Sequence, residues 1–160
     1  GEKALFYCSD KKDGLGGYDL YYSLMNKSGD PEIVYNLGSE VNSTGNDISP
    51  FIHINTNALY FSTDGRNDIG HLDLFKAHGN LLEGFNNSIG LGREFNSMAD
   101  EWSCYVGSDT SELIILSNFK GQFPFGSRAV YKCSGQVDIA MSNNFGNRLS
   151  ISQSPDSLTV

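Results

Sequence analysis

The sequence predicts an all-β fold built from similar four-stranded units, and three observations support this prediction. The segment Leu37–Ser49 aligns with Leu91–Ser103, 54 residues later, and six of the thirteen positions are identical. The most apolar segments are short runs that end at polar turns, as expected of buried strands. The i, i+3, i+4 spacing of amphipathic helices is absent from the sequence. A repeat of this length is typical of units that bury their apolar faces by stacking on their neighbours.

The strongest predicted strand, called strand b, occurs once in each unit. Its three copies follow one another at the same 54-residue offset, and each has at least four consecutive apolar or aromatic residues before a polar turn. Such an unbroken run is expected of a strand that is covered on both faces. The predicted b strands are Ala4–Asp10, Ala58–Asp64 and Glu112–Asn118.

A second strand, called strand c, follows each b strand after a connection. The connections Asp10–Gly17 and Asp64–Gly70 contain Gly, Asn and Asp residues, which tolerate positive φ, so we expect hairpin loops there. The third copy begins two residues later because of an insertion around Gln122–Pro124. The predicted c strands are Gly16–Tyr21, Gly70–Phe75 and Gly126–Tyr131.

Two further strands complete the unit. Strand a precedes strand b at Ile48–Ile54 and at Trp102–Val106. Strand d follows strand c at Glu32–Tyr35 and, with a weaker pattern, at Leu81–Phe85. We therefore divide the single predicted domain, residues 1–160, into units at residues 1–41 (strands b to d), 42–95, 96–142 and 143–160 (strands a and b).

The repeated motif resembles that of a known family. It comprises Asn-x-x-Gly-Asn-Asp-Ile-Ser-Pro-Phe at Asn42–Phe51, Ala-Leu-Tyr-Phe-Ser-Thr-Asp-Gly at Ala58–Gly65 and Gly-x-x-Asp-Leu-Phe at Gly70–Phe75. These strings are similar to the WD40-like repeat of TolB-type β-propellers. The resemblance implies a β-propeller of four-stranded antiparallel blades. It also implies a periplasmic, outer-membrane-associated or secreted protein, because such repeats are common in the Gram-negative cell envelope, often beside an OmpA-like peptidoglycan-binding domain.

The strand order predicts about three blades in this chain. The last unit is a partial copy, in which Asn143–Ser150 resembles Asn42–Ser49. Propellers have roughly four to eight blades, so three blades do not easily close a ring. Two alternatives follow from the open edges that remain: the chain is part of a longer propeller, or two copies associate as a homodimer and form the six blades of TolB-like propellers.

The charge of the chain excludes one class of partner. Nineteen acidic residues against eleven basic ones give a formal net charge of −8. Nucleic-acid binding needs clustered Lys and Arg to neutralise phosphates, so we expect no nucleic-acid partner. The sequence has no apolar run of about 18 residues, and we therefore expect no direct membrane insertion.

The cysteines predict neither a zinc site nor a disulfide framework. Cys8, Cys104 and Cys133 are odd in number and lack C-x-x-C or Cys/His spacing. Each lies in an apolar, strand-like segment, where a free thiol packs as a small apolar side chain. We expect buried free thiols; a Cys104–Cys133 disulfide is the alternative.

Acidic residues around the two b–c connections are candidate ligands for Ca²⁺. They offer several carboxylate oxygens within ten residues, which is the donor type that Ca²⁺ prefers. Their spacing does not fit an EF-hand, and Asp beside Gly is also ordinary turn chemistry. The alternative is structural: Asp19 and Asp73 accept backbone hydrogen bonds from the preceding loop, and no cofactor is bound. The candidates are Asp10, Asp13, Asp19, Asp64, Asp68 and Asp73.

Aromatic and histidine side chains in or beside loops are candidate binding residues. Tyr18, Tyr22 and Phe123 are expected to be exposed and available for contact. His71 directly follows the second b–c connection. His53 lies on strand a, where it either lines a central channel or, as we expect, is hydrogen-bonded or faces solvent.

The sequence contains no motif of a known catalytic centre. It lacks the G-x-S-x-G, H-E-x-x-H and Walker patterns, and its Gly14-x-Gly16-Gly17 run lies between two strands instead of before a helix. We therefore expect a non-catalytic propeller of the cell envelope that binds a protein partner. The alternatives are a carbohydrate-binding propeller, although Trp102 is expected in the core, and the accessory propeller of a larger enzyme.

Overall fold

The computed structural model describes residues 3–110, 112–118 and 129–134, the last of these in its backbone only. The described chain folds into antiparallel β-sheet, which confirms the predicted all-β class. Its strands are β1 (Lys3–Ser9), β2 (Asp19–Met25), β3 (Pro31–Asn36), β4 (Asp47–His53), β5 (Ala58–Thr63), β6 (Asp73–Asn80), β7 (Gly84–Gly90), β8 (Glu101–Val106), β9 (Glu112–Ser117) and β10 (Ala129–Ser134).

Each sheet is a meander, in which every strand pairs with the next one along the chain. The first sheet has the order β1-β2-β3, the second β4-β5-β6-β7, and the third β8-β9-β10. The second sheet thus contains the predicted strands a to d in order. The first contains b to d and the described part of the third contains a to c. Residues 143–160, predicted as strands a and b, lie outside the described residues.

Several strand boundaries differ from prediction. The c strands begin at Asp19 and Asp73, three residues later than expected, because the residues before them form a loop around these carboxylates. Strand β7 begins at Gly84 instead of Leu81. The side chain of Asn80 accepts the N–H groups of residues 82 and 83 at 2.9 and 3.1 Å and thereby forms a turn where a strand was expected.

The b strands differ in burial. All six residues of β5 are buried, as predicted for a strand covered on both faces. The prediction is wrong for β1, where no residue is fully buried, because β1 is the edge strand of its sheet among the described strands. It is also wrong for β9, where buried and half-buried residues alternate. A continuous apolar run therefore predicted the strand but not how many of its faces are covered.

The core consists of two clusters on opposite faces of the second sheet. Leu59 and Phe61 of β5 pack with Leu20 of the first sheet. Tyr60, on the other face of β5, packs with Ile115 of the third sheet. Because side chains alternate along a strand, β5 joins both clusters and holds the three sheets in a stack.

Helix is confined to one short turn in the described residues. It is a 3₁₀ turn at Ile54–Thr56, between β4 and β5, and Ile54 was predicted as the end of a strand. Within the described part of the chain, no helix has the length and apolar character that a membrane span needs.

Candidate functional site

A polar network occurs twice in the described chain, where each b–c loop meets the segment that leads into the next sheet. The N–H of Asp47 donates to the carbonyl of Tyr18 at 2.6 Å. One repeat later, the N–H of Glu101 donates to the carbonyl of Leu72 at 2.7 Å. The first strand of each following sheet is thus tied to the last residue of the b–c loop of the preceding sheet.

Glycine begins each of these connecting segments. Gly38 and Gly92 have φ of 76° and 73°, a left-handed conformation that glycine adopts without strain. Their carbonyls accept the N–H groups of Asn42 and Asn96 at 2.7 and 2.8 Å, which closes a tight turn. The positive φ explains why glycine occupies this position in both copies of the repeat.

Asn42 and Asn96 bind the backbone of the preceding c strand. Asn42 accepts the N–H of Leu20 through Oδ1 at 2.7 Å and donates to the carbonyl of Leu20 through Nδ2 at 3.0 Å. Asn96 makes the same two bonds with Leu74, at 2.8 and 3.0 Å. Both asparagines are buried, so the bonds satisfy strand groups that water cannot reach.

A buried carboxylate begins the first strand of the second and third sheets. The Oδ2 atom of Asp47 accepts the N–H and the hydroxyl of Ser43, at 2.6 and 2.9 Å. In the third sheet, Glu101 Oε2 accepts the N–H of Ser97 at 3.0 Å, while Oε1 accepts the hydroxyls of Ser97 and Ser117 at 2.6 and 3.0 Å. Burial raises the pKa of both carboxyls, and the hydrogen bonds oppose that shift.

An amide and a carboxylate form a pair next to each buried acid. The carboxylate of Asp64 accepts two hydrogen bonds from Asn46, one from its backbone N–H at 2.6 Å and one from its side-chain Nδ2 at 2.8 Å. In the third sheet the residue types are exchanged, and Asn118 accepts the N–H of Asp100 at 2.7 Å and donates to its carboxylate at 2.8 Å. Asn118 lies one repeat after Asp64, so the third sheet has an amide where the second has an acid. The structure shows that the acid has moved to the partner position.

The candidate calcium ligands mostly serve the fold. Asp19 accepts the N–H groups of Leu15 and Gly16 at 2.6 and 3.1 Å, and Asp73 accepts those of Ile69 and Gly70, both at 2.9 Å. The predicted structural role of these two acids is therefore confirmed.

The other four candidates do not form a shared site. Asp64 is hydrogen-bonded to Asn46, and Asp68 Oδ2 accepts a hydrogen bond from Nδ2 of Asn96 at 2.6 Å. Asp10 and Asp13 are exposed. Among the described residues, no three His, Cys, Asp or Glu side chains are grouped so that they could hold a metal ion.

His53 is buried and links two sheets. Its Nδ1 lies 2.7 Å from the hydroxyl of Thr56, and its Nε2 lies 2.9 Å from the carbonyl oxygen of Gly107. Because a carbonyl only accepts, Nε2 carries a proton. His53 is therefore hydrogen-bonded, one of the two outcomes expected for it, and both ring nitrogens are engaged within the chain.

The remaining candidate binding residues differ in exposure. Tyr18 and His71 are exposed at the b–c loops, as expected. Tyr22 is half-buried, because its ring stacks on Tyr35 at 4.8 Å and on Phe6 at 5.7 Å between centroids. Phe123 lies outside the described residues. Trp102 was expected in the core, but it is only half-buried.

Strand β3 forms an exposed apolar surface that sequence reasoning missed. All six of its residues are exposed, and Ile33, Val34 and Tyr35 are 51%, 42% and 39% accessible. Consecutive apolar residues on an outer strand expose apolar groups on both faces of the sheet. The available signal was the strand order, since a d strand lies at the outer edge of its unit.

A shallow polar groove lies at the other end of the second sheet, away from the polar network. It has a volume of about 300 Å³, and its lining includes His78, Asn80 and Glu83. Burial and the charge of Lys76 lower the pKa of His78. The one side-chain hydroxyl of this lining, Thr56, is bonded to His53. The groove thus offers amide and carboxylate groups and no activated nucleophile among its described lining residues.

Comparison with known proteins gives no assignment. No protein-family model matches the chain, and no curated protein matches it.

Proposed function

We propose that this chain is a non-catalytic binding and scaffolding segment of a β-propeller in the bacterial cell envelope and that it contacts a protein partner. The three stacked meanders would be consecutive blades of the propeller. The cell-envelope location rests on the resemblance of the repeat to TolB-type propellers.

The observation that carries the proposal is the exposed apolar surface of β3. Ile33 and Tyr35 lie on one face of the edge of the sheet and Val34 on the other, and each is more than one-third exposed, so the apolar surface extends around this edge. Contiguous apolar surface on a folded domain is typical of a protein-binding site. Aromatic residues such as Tyr35 are also enriched in protein interfaces.

The acidic residues give a second line of support. The carboxylates of the repeat accept hydrogen bonds from the chain itself: Asp19 accepts backbone N–H groups, and Glu101 accepts a backbone N–H and two hydroxyls. A general acid or base would need a carboxyl within reach of a substrate. The described acids of the network therefore support a structural role and leave binding as the function to test.

Site-specific photo-crosslinking tests the proposal. A photoreactive phenylalanine analogue at Val34 is expected to crosslink one partner in cell-envelope extract, whereas the same analogue at Lys27, an exposed turn position, is expected to crosslink none. Val34→Lys should abolish capture of that partner without changing the melting temperature, because Val34 already faces solvent. Equal crosslinking from both positions would count against the proposal.

A second candidate function is carbohydrate binding, which the groove favours. Its lining has several amide and carboxylate groups that could hydrogen-bond sugar hydroxyls, including Asn57, Asn80 and Glu83. A glycan array tests this alternative. Binding that disappears in Glu83→Ala would favour it, and an array without any bound glycan would remove it.

A further inference from the structure

The turn between β6 and β7 repeats the hydrogen bonds of the turn between β2 and β3. Asn26 Oδ1 accepts the N–H groups of Ser28 and Asp30, both at 2.9 Å. Asn80, one repeat later, accepts the N–H groups of the second and third residues after it, at 2.9 and 3.1 Å. In both turns the asparagine serves the fold, and the residues around it are free to differ between the two copies.

The second sheet differs from the first next to this turn. Strand β2 ends with Leu24 and Met25, whereas the same positions of β6 hold His78 and Gly79. Position 79 has no room for a side chain, because an added Cβ would collide with the carbonyl oxygen of Gly84. Where the first sheet has two apolar side chains, the second thus has an imidazole and a glycine, and both line the polar groove at this end of the sheet.

Two large apolar side chains are exposed in the turns that bound the groove. Leu82, in the β6–β7 turn, is 95% exposed, and Ile54, in the turn between β4 and β5, is 79% exposed. The lining of the groove includes Asn57, whose N–H donates to the carbonyl of Ile54 at 3.2 Å, and Glu83, which directly follows Leu82. The first sheet has Ser28 at the position of Leu82. One exposed leucine is ordinary, but two exposed aliphatic side chains beside one groove are typical of a contact surface.

The charge of the groove is negative. Glu83 carries the only full charge at neutral pH among the described lining residues, and its Oε2 accepts Nδ2 of Asn80 at 3.0 Å. Burial and the charge of Lys76 lower the pKa of His78, so the ring of His78 is uncharged at pH 7 and does not repel a cation. Lys76 itself is buried, with its ammonium 5.6 Å from the ring centroid of Tyr60. The groove is therefore complementary to a cationic group.

The bond between Asn80 and Glu83 also bears on the kind of cation. An arginine guanidinium pairs best with both oxygens of a carboxylate, whereas the ammonium of lysine is a compact point charge. One oxygen of Glu83 already accepts the Asn80 amide, which leaves Oε1 for a ligand. Lysine also has a stem of methylene groups that packs on apolar surface while its charged end stays polar.

We propose that this groove binds a lysine side chain of a protein partner, with the ammonium paired with Glu83 and the methylene groups in contact with Leu82. A neutral sugar would use the amides of the groove but neither the charge of Glu83 nor the exposed aliphatic side chains. The inference adds a second contact site to the proposed function and rests on it only for the class of partner.

NMR titration of the full chain with two short peptides tests the proposal. Both peptides have a central lysine between leucine and glycine residues, and in one of them the lysine is Nε-acetylated, which removes the charge and keeps the stem. The lysine peptide should shift the backbone amide signals of Gly79 and Gly84 in a saturable way. The acetylated peptide should bind about fivefold more weakly, because it cannot pair with Glu83.

Three variants separate the parts of the site. Glu83→Gln should abolish the difference between the two peptides, and Leu82→Ser, which gives the turn the residue of the first sheet, should weaken the binding of both. Asp30→Asn is the matched control, because it removes an exposed acid from the corresponding turn of the first sheet, and it should change neither affinity. All three positions are exposed, so the melting temperature should stay the same.

Two kinds of result would overturn the proposal. The first is no shift with either peptide, equal binding of both, or a preference that Glu83→Gln leaves intact. The second is saturable shifts with the neutral disaccharide maltose and none with the lysine peptide, since the groove would then be a carbohydrate site. Val34→Lys should leave peptide binding unchanged, because Val34 belongs to the first sheet, so failure of the β3 surface and failure of the groove give different results.

Discussion

Asp100 and Asn118 share two side-chain hydrogen bonds at the entry to the third sheet, with the residue types reversed relative to Asn46 and Asp64 in the second. The bonds join the same positions in both sheets, one repeat apart. The position therefore requires one carboxylate and one amide, and either side can supply the carboxylate.

The reversal predicts that a destabilising substitution at one of these two positions is compensated by the matching substitution at the other. Asn46→Asp should lower the free energy of unfolding by about 1 kcal/mol, because it places a second carboxylate next to that of Asp64 at a partly exposed site. Asn46→Asp combined with Asp64→Asn recreates the Asp100–Asn118 arrangement and should recover most of the loss. Urea unfolding of the two single variants and the double variant measures the coupling. Additive effects of the two substitutions would contradict the prediction.

Substitution of the buried asparagines, Asn42 and Asn96, should lower the free energy of unfolding more than Asn46→Asp does. Asn96→Ala should lower the free energy of unfolding by about 2–3 kcal/mol, because it removes both side-chain bonds to Leu74 and leaves the buried N–H of Leu74 without its amide acceptor, although the carbonyl of Leu74 still accepts the N–H of Leu91. Asn42→Ala should have a similar effect through Leu20. The control is Asn67→Ala, at an exposed loop position, where a change below about 0.5 kcal/mol is expected. Equal effects at Asn96 and Asn67 would contradict this account.

The buried acid of the third sheet predicts a pH dependence. Burial raises the pKa of Glu101, the bonds from Ser97 and Ser117 lower it, and the charge of Asp73 raises it further. A carboxyl whose folded pKa lies above its unfolded pKa binds more protons in the folded state, so its contribution to stability falls as pH rises between the two values. The free energy of unfolding of Glu101→Gln minus that of the wild type should therefore increase from pH 4 upward.

Urea unfolding at pH 4, 5, 6 and 7 measures this difference. Exposed Glu94→Gln serves as the control for the loss of one charge. A difference between Glu101→Gln and the wild type that stays constant or decreases over this range would show that Glu101 does not titrate as its burial requires.

The two described thiols should react at different rates. Cys104 is a free thiol, so the alternative of a Cys104–Cys133 disulfide is wrong. Burial raises the pKa of Cys104 to about 12. Cys8 is a half-buried free thiol. A thiolate is the reactive species, so an alkylating reagent at pH 8 should label Cys8 first and Cys104 only after unfolding. Peptide mass mapping over time measures this order, and early labelling of Cys104 would contradict it.

Calcium should have little effect on stability. Asp19 and Asp73 already accept backbone N–H groups, and Asp64 and Asp68 accept amide groups. A ligand that binds only the folded state raises the melting temperature by mass action. We expect melting curves in 1 mM CaCl₂ and in chelator to coincide, using about 1 mM because weak protein sites bind Ca²⁺ in that range. A clear increase with calcium would show that the described acids rearrange around an ion.

Sequence alone predicted the strands better than their surroundings. The 54-residue repeat predicted β4, β5 and β6 in the correct order, because apolar runs and turn residues are local signals. It did not show that β1 is half-exposed and β3 fully exposed, since burial depends on which sheet covers each strand. That information lies in contacts between units and not within one unit.

The candidate site was only partly predictable for the same reason. Asp19 and Asp73 could be assigned to their own loops because their partners lie three and four residues away. The Asn46–Asp64 pair spans 18 residues, and a comparison of Asp64 with Asn118 alone shows only that the acid is replaced by an amide. A comparison of residue pairs between the two copies of the repeat, instead of single positions, would have identified Asp100 as the compensating acid.

The hydrogen bond between His53 and the carbonyl of Gly107 joins residues that are one repeat apart. A contact of this kind depends on the length of the repeat as well as on the two residues. Duplication of a complete 54-residue segment would regenerate the same contact at each new junction, whereas an insertion of another length would shift the acceptor away from the imidazole. The chain can therefore lengthen by whole copies, and gene duplication in register would be the simplest way to enlarge the molecule.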